Sequence, residues 1–268
     1  MCLDIAFYSA LEQIDDYFPG IIHEGDIEWD DLLGAHVMAL GHKRYPVILY
    51  EDGHYTRRFF EWGIIAEYMS TPEKIKQFRK NMVNARSEKI LDDPKSFWHR
   101  IRRQRCLVPV TGFYEHRAIE GWKNKVPYHI KIRNRSFFFL PALYHYNSAL
   151  PSDPETGEVR GMFSLVTRAA NTVMSQIHNS GDNAFRMPLL LTEEMEKKWA
   201  DPSLDDAGLR QLLNYEMPDQ HIDYWPVYSI RARSPRPDGR AKTEPFTYPD
   251  LPPLGNDQGR QQGTLNLV

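Results

Sequence analysis

The feature that most limits what this chain can fold into is a long succession of short β-like runs that never settles into βαβ alternation. Runs rich in β-branched and aromatic residues fall at 36–40, 46–50, 56–65, 105–116, 126–132, 136–146, 161–167, 187–191 and about 222–230. A parallel doubly wound sheet would need a crossover helix after nearly every strand. The helical signals are instead few and short. Ser9-Ala-Leu-Glu12 reads as a capping box that opens a helix ending at Pro19-Gly20. Thr71-Pro72-Glu73 and Asp93-Pro94 open two more. Further helices are expected over 169–178, from the Thr192 cap to about Trp199, and over 206–214. Arg133-Asn134-Arg135, between two strands, suggests a hairpin. The pattern implies an α+β single domain over 1–232, with a mainly antiparallel, barrel-like β core and peripheral helices. Residues 233–268, where Pro, Gly, Asp and Gln dominate, read as a poorly ordered tail.

Composition narrows the function classes. Hydrophobic residues make up 41% and charged residues 26% of 268, as in soluble globular proteins. No apolar run approaches the ~20 residues of a membrane span, and no basic-then-apolar leader precedes Cys2. Two cysteines, Cys2 and Cys106, make no disulfide framework and suit a reducing cytoplasm. The ten histidines are scattered without zinc-ligand spacing, so no metal or other cofactor is called for. A net charge of −3 argues against a globally basic nucleic-acid binder. Between Glu73 and Arg105, however, eleven Lys and Arg face four acids, a local balance of +7. Such a window is either a solvated helix face or a phosphate-binding groove.

Within this frame, four short stretches carry polar chemistry. Cys2 stands directly behind Met1. Removal of Met1 would leave an amine, titrating near about 7.7–8.0, beside a thiol titrating near about 8.5. Such a 1,2-aminothiol can attack a carbonyl or condense with an aldehyde to a thiazolidine. The bland alternative is the second residue of a frayed terminus. Asn84, in Asn84-Ala85-Arg86, is either an amide donor to an oxyanion or a turn residue. Arg86 is a phosphate contact or a surface ion pair. Glu115 closes the strand Gly112-Phe113-Tyr114-Glu115 and would become a general acid if buried, or is merely an exposed strand end. His178 ends a short helix, as an acid–base group or as a C-cap contact.

Taken together and in order, these stretches resemble one family. Cys2, then Asn84-Ala85-Arg86-x-Glu88, then Arg105 to Glu115 (RCLVPVTGFYE), then Thr167-x-Ala-Ala-Asn171 through His178 to Arg186-Met187-Pro188 is similar to the SRAP family, the SOS-response-associated peptidase-like or abasic-site processing proteins. The similarity spans roughly residues 2–230. It implies a barrel-like α+β domain with a basic cleft for single-stranded DNA, acting as a monomer in the cytoplasm and associated with the nucleoid when on DNA. It implies that mature Cys2 forms a thiazolidine with the ring-opened aldehyde of an abasic site, a lyase-type DNA chemistry, with self-processing peptidase activity at Met1. On the same resemblance Asn84 orients the amine or the sugar, Glu115 shuttles protons and His178 assists. Arg86, Arg168 and Arg186 contact DNA, and Trp62 is an aromatic near it.

The chain departs from the family pattern in three places. Members mostly begin Met-Cys-Gly-Arg, whereas Leu3 and Asp4 follow Cys2 here; Asp4 would repel a phosphate backbone. His116 replaces the usual aromatic after Glu115. Asn179 to Phe185 form an insertion before Arg186. Two rival readings use the same residues: an N-terminal-nucleophile amidohydrolase or glutamine amidotransferase domain, and a non-catalytic nucleic-acid-binding module in which Cys2 is incidental.

Overall fold

A computed structural model of the chain describes residues 2–7, 12–24, 34–152, 157–232 and 234–257. The short runs become two sheets. The larger carries a closed ring of five strands: β4 (Arg44–Glu51), β5 (His54–Trp62), β11 (Gly161–Ala169), β10 (Phe138–Tyr146) and β7 (Arg105–Val110). Neighbours in the ring are antiparallel except where β11 meets β5 in parallel, at Met162↔Glu61 and Phe163↔Trp62. That last pairing closes the barrel and removes the open edges a five-stranded sheet would expose. Val47, Leu49, Leu107, Leu140, Phe163 and Leu165 are among its fully buried residues.

Three short strands extend this sheet: β2 (Ile22–His23) on β5, and β6 (Asn84–Arg86) and β12 (Arg186–Pro188) on either side of the last residues of β11. The second sheet runs in the order β13 (Ile222–Pro226), β9 (Val126–Ile132), β8 (Gly112–Arg117), β1 (Asp4–Phe7) and β3 (Gly34–Met38). Among the described residues six α-helices lie outside: α1 (Glu12–Tyr17), α2 (Pro72–Phe78), α3 (Phe97–Arg100), α4 (Thr172–Ile177), α5 (Glu193–Ala200) and α6 (Asp206–Asn214). Ser9, the start of the expected capping box, lies outside the described residues. No described helix is long and apolar enough to cross a membrane.

Three expectations are corrected. The run 105–116 is two strands in two different sheets. Thr111 ends the first, its N–H and hydroxyl both donating to the Ala6 carbonyl at 2.8 and 3.1 Å. The chain then re-forms against β1 and β9. Gly112 is required there, since a Cβ would fall 2.4 Å from the His129 ring and 2.9 Å from the Ile130 carbonyl oxygen. The runs 126–132 and 136–146 are not a hairpin. Ile132 pairs with Ile222 and Phe138 with Val110, so Arg133-Asn134-Arg135 carries the chain from one sheet to the other. Asn134 takes a left-handed φ of 61° in that crossing. Arg135 is drawn to the wholly buried Glu196 of α5 by two hydrogen bonds of 2.6 and 2.9 Å.

The third correction concerns the tail. Instead of being loose, residues 236–257 are seated on the second sheet. The fully buried Arg117 donates to the carbonyls of Pro252, Pro253 and Asn256 and to the Asp257 carboxylate. Arg236 gathers the carbonyls of Ala241, Glu244 and Pro245. The Trp225 indole donates to the Thr243 carbonyl. A buried guanidinium surrounded by backbone carbonyls orders a segment whose composition alone predicts disorder.

Candidate functional site

Cys2 sits where the two sheets meet. Strand β1 carries it in from the second sheet: Asp4 pairs with Tyr114 and Met38, and the Ala39 N–H donates to the Leu3 carbonyl. From the barrel side the Asn84 amide donates to the Cys2 carbonyl oxygen at 2.9 Å. Asn84 is fixed in turn by β6, whose residues 84–86 run parallel to 165–167 of β11. Cys2 is therefore fully buried and pinned rather than frayed. Burial first, then the charge of Glu115, pushes its thiol well above the ordinary range.

Glu115 and His178 complete the centre. Strand β8 alternates, so Phe113, Glu115 and Arg117 share a face, and Phe113 belongs to the main core. Glu115 is consequently buried, and desolvation raises its carboxyl to about 8. His178 ends α4, which packs on β8. Asn171 fixes the start of that short helix: its side chain accepts from the Met174 N–H at 3.0 Å and donates to the Met217 carbonyl at 3.0 Å. The His178 Nδ1 lies 2.7 Å from the Arg186 carbonyl. A carbonyl only accepts, so Nδ1 carries the proton and Nε2 presents a lone pair. Burial lowers the imidazole to about 4. Nε2 lies 3.8 Å from the Glu115 Oε2. At neutral pH the pair is thus a protonated carboxyl facing a neutral imidazole, an acid and a base side by side. The Oε1 of Glu115 and the Oδ1 of Asn84 are both buried with no hydrogen-bond partner among the described residues. Two orphaned acceptors beside one residue form a place for a donor such as an amine. Among the described residues no three His, Cys, Asp or Glu side chains converge to hold a metal.

Asn84 also lines a cleft of about 230 Å³ together with Asn81, Arg86, Thr167, Asn183 and Arg186. The two arginines reach it from strands on opposite sides of β11. Arg86 donates to Asn183 Oδ1 at 2.9 Å and has no carboxylate partner among the described residues. Arg186 is held by Glu88 through hydrogen bonds of 2.8 and 3.0 Å, and also donates to the Thr167 carbonyl. The cleft is accordingly amide-rich and basic at Arg86, and nearer neutral at Arg186.

Four residues singled out from sequence take other places. Trp62 is 1% exposed, donates its indole N–H to the Val83 carbonyl and stacks on Phe163. It is a core residue with no face to offer a base. Arg168 points away from the cleft, as alternation after Thr167 demands, and binds Glu216 and the carbonyls of Asn214 and Tyr215. Asp4 does not stand as a naked negative charge. It is buried between His36, at 2.5 Å, and Arg231, at 2.7 and 3.2 Å, and these partners hold its carboxyl below the ordinary range. His116 is held near pKa 4 by burial and stays neutral. Much of the basic window is also spent internally: Arg79 on Glu61, Lys89 on Asp93, Arg102 on Asp206, and Arg105 on the carbonyls of Trp199 and Asp201.

Sequence reasoning missed Asn81 and Asn183 as cleft residues. Asn183 lies in the insertion 179–185, whose length was the only signal available.

The model of the family described as SOS response associated peptidase (SRAP) matches residues 1–230. The abasic site processing protein YoqW of Bacillus subtilis is 31% identical over 170 residues, covering 63% of this chain and 68% of the relative. YoaM of the same organism, which carries the same description, is 28% identical over 224 residues, 82% and 88% of the two chains. A crystal structure of a protein from Bacteroides thetaiotaomicron superposes with a TM-score of 0.70 at 29% identity, covering 91% of this chain and 97% of that one.

Proposed function

This chain belongs to the SRAP family, and from that premise we propose that it processes abasic sites in single-stranded DNA by capturing the sugar aldehyde on Cys2. The relatives described as abasic site processing proteins supply the substrate class. The observation that carries the reading is the meeting of Cys2, Asn84, a protonated Glu115 and a neutral His178 in one buried place.

The chemistry follows from those protonation states. Hydrolysis of the Met1–Cys2 peptide bond frees the α-amine, the step to which the word peptidase applies on this reading. A raised thiol pKa keeps the sulfur protonated, so the amine attacks first. Its nitrogen adds to the aldehyde carbon. The resulting carbinolamine loses its hydroxyl as water on receiving the Glu115 proton. The thiol then adds to the carbon of the resulting iminium, its proton passing through the His178 Nε2 to the Glu115 carboxylate, which regains the proton it gave, and the five-membered ring closes. One water leaves and nothing is oxidised or reduced. Asn84 holds the Cys2 carbonyl, and its Oδ1, with the Oε1 of Glu115, receives the N–H groups of the free amine. A buried nucleophile requires the sugar to leave any base stack, which favours single strands.

The test is a denaturing gel after incubation with single-stranded DNA carrying one abasic site. Wild type should give a slow, denaturant-resistant band. Cys2→Ala should give none while retaining most of its non-covalent affinity. Cys2→Ser should give only an adduct trapped by borohydride. Undiminished cross-linking by Cys2→Ala would remove the nucleophile and with it the reading.

A further inference from the structure

Phe185 stands out on two counts. It is 57% exposed, more than any other large hydrophobic side chain among the described residues. Its backbone also lies in the left-handed region, with φ 59°. Left-handed backbone disfavours any residue with a Cβ, and a bulky one above all. Exposure means that little apolar burial offsets the strain. On grounds of stability alone a glycine would be the better residue at this position.

The strain is imposed by the loop around it. The Phe185 N–H donates to the His178 carbonyl at 2.8 Å and its carbonyl accepts from the Ala170 N–H at 2.9 Å. These bonds close the insertion 179–185 at its base. At the other end Asn179 donates to the Ala118 carbonyl and to Asp257, and accepts from the Ala118 N–H. Asn183, two residues before Phe185, reaches Arg86 in the cleft, and Arg186, the next residue, lines the same cleft. Phe185 is therefore an aromatic ring on a backbone fixed on both sides, set in the chain between two residues of a basic, amide-lined groove. Aromatic faces beside guanidinium groups are what single-stranded nucleic acid uses: phosphates take the charge and bases stack on the ring. Phe185 does not line the cleft itself, but Asn183 and Arg186 beside it in the chain do, and a cleft of amides and arginines suits a phosphate backbone rather than an apolar protein partner.

We infer that Phe185 is a stacking platform for the nucleobase next to the abasic site, held at the cleft by the insertion 179–185. The inference rests on the reading of the site as a single-stranded DNA site. It adds a specificity that nothing in the Cys2 centre supplies. The neighbouring nucleotide on the Phe185 side should be read by ring area, purines above pyrimidines, and a position with no base should bind worst.

The experiment uses the whole chain and single-stranded oligonucleotides containing a tetrahydrofuran abasic analogue, which cannot open to an aldehyde. One immediate neighbour at a time is a purine, a pyrimidine or a baseless spacer. Wild type should favour a base over the spacer by about 5- to 150-fold on one side of the lesion only, the range that stacking on one aromatic supplies. Phe185→Gly should abolish that preference while melting at the same temperature as wild type or higher, because glycine relieves the strained backbone. Phe185→Trp should preserve the preference. A wild type indifferent to the neighbour, or a Phe185→Gly variant that keeps the preference, would overturn the inference. So would a Phe185→Gly variant that melts well below wild type, since the ring would then be serving packing. Covalent capture of a true abasic site by wild type is scored separately, so loss of the platform leaves the Cys2 chemistry standing.

Discussion

A carboxyl and an imidazole 3.8 Å apart would ordinarily form an ion pair at neutral pH, yet here both are neutral because both are buried. This has a consequence for stability. The Glu115 carboxyl titrates at about 8 in the fold against an ordinary 4.5. Between those values the folded state keeps a proton that the unfolded chain has released, so stability falls as pH rises through that window. Glu115→Gln keeps the shape and removes this dependence. Thermal melts should show the variant gaining on wild type at pH 8 and much less at pH 5; equal differences at both would place the carboxyl in water. The same substitution should slow adduct formation by about 10²–10⁴-fold, the usual worth of a positioned acid.

Cys2, Glu115 and His178 could be singled out because each is an odd choice for its local position: a cysteine at the start, a glutamate closing an apolar strand, a histidine ending a helix; the roles proposed for them rest on the resemblance to the SRAP family. The places of Trp62 and Arg168 were not legible. Sequence cannot tell a tryptophan stacked on Phe163 from one facing a ligand, nor on which face of β11 an arginine falls.

At the scale of elements, the site depends on short pieces held by caps and parallel pairings. Helix α4 has six residues and would be marginal without its Asn171 cap. Asn171→Ala should cost about 1 kcal/mol in chemical denaturation. It should also slow the reaction more than it weakens DNA binding, because it shifts His178 directly while Arg86 is held on another strand, β6. Weakened binding with an unchanged rate would contradict that division. On the other flank, Arg86 is the cleft arginine without an acid partner among the described residues. Arg86→Ala should lower the slope of log affinity against log salt by about 0.7, one phosphate's worth on a single strand. An unchanged slope would show that Arg86 meets no phosphate. Most strands were readable from β-branched and aromatic runs, with ends displaced by a few residues. The division at Thr111 and the crossing at Asn134 were not, because which strand a segment joins is decided by distant partners such as Ala6 and His221.

At the scale of the whole molecule, the C-terminal segment belongs to the fold and touches the site. Asp257 accepts from Arg117 and from Asn179, the residue after His178. Removing residues 234–268 should strip the Arg117 guanidinium of its carboxylate and its three carbonyl partners, leaving it the Tyr128 hydroxyl. Breaking a buried charged set in this way costs about 3–5 kcal/mol. The urea midpoint of the truncated chain should drop accordingly, and a midpoint equal to that of the full chain would mean that the tail is dispensable. Composition could not anticipate this, because much of its order comes from side chains outside the segment, Trp225 and above all Arg117, more than a hundred residues away.

The central claim is that a freed Cys2 captures an abasic aldehyde with loss of one water. Intact mass spectrometry of the protein after incubation with abasic single-stranded DNA and nuclease trimming tests it most directly. The account predicts a species lacking Met1 and heavier by the abasic remnant less one water, formed without reductant and absent from Cys2→Ala. An unshifted mass, or an adduct carried on a chain that still bears Met1, would contradict it.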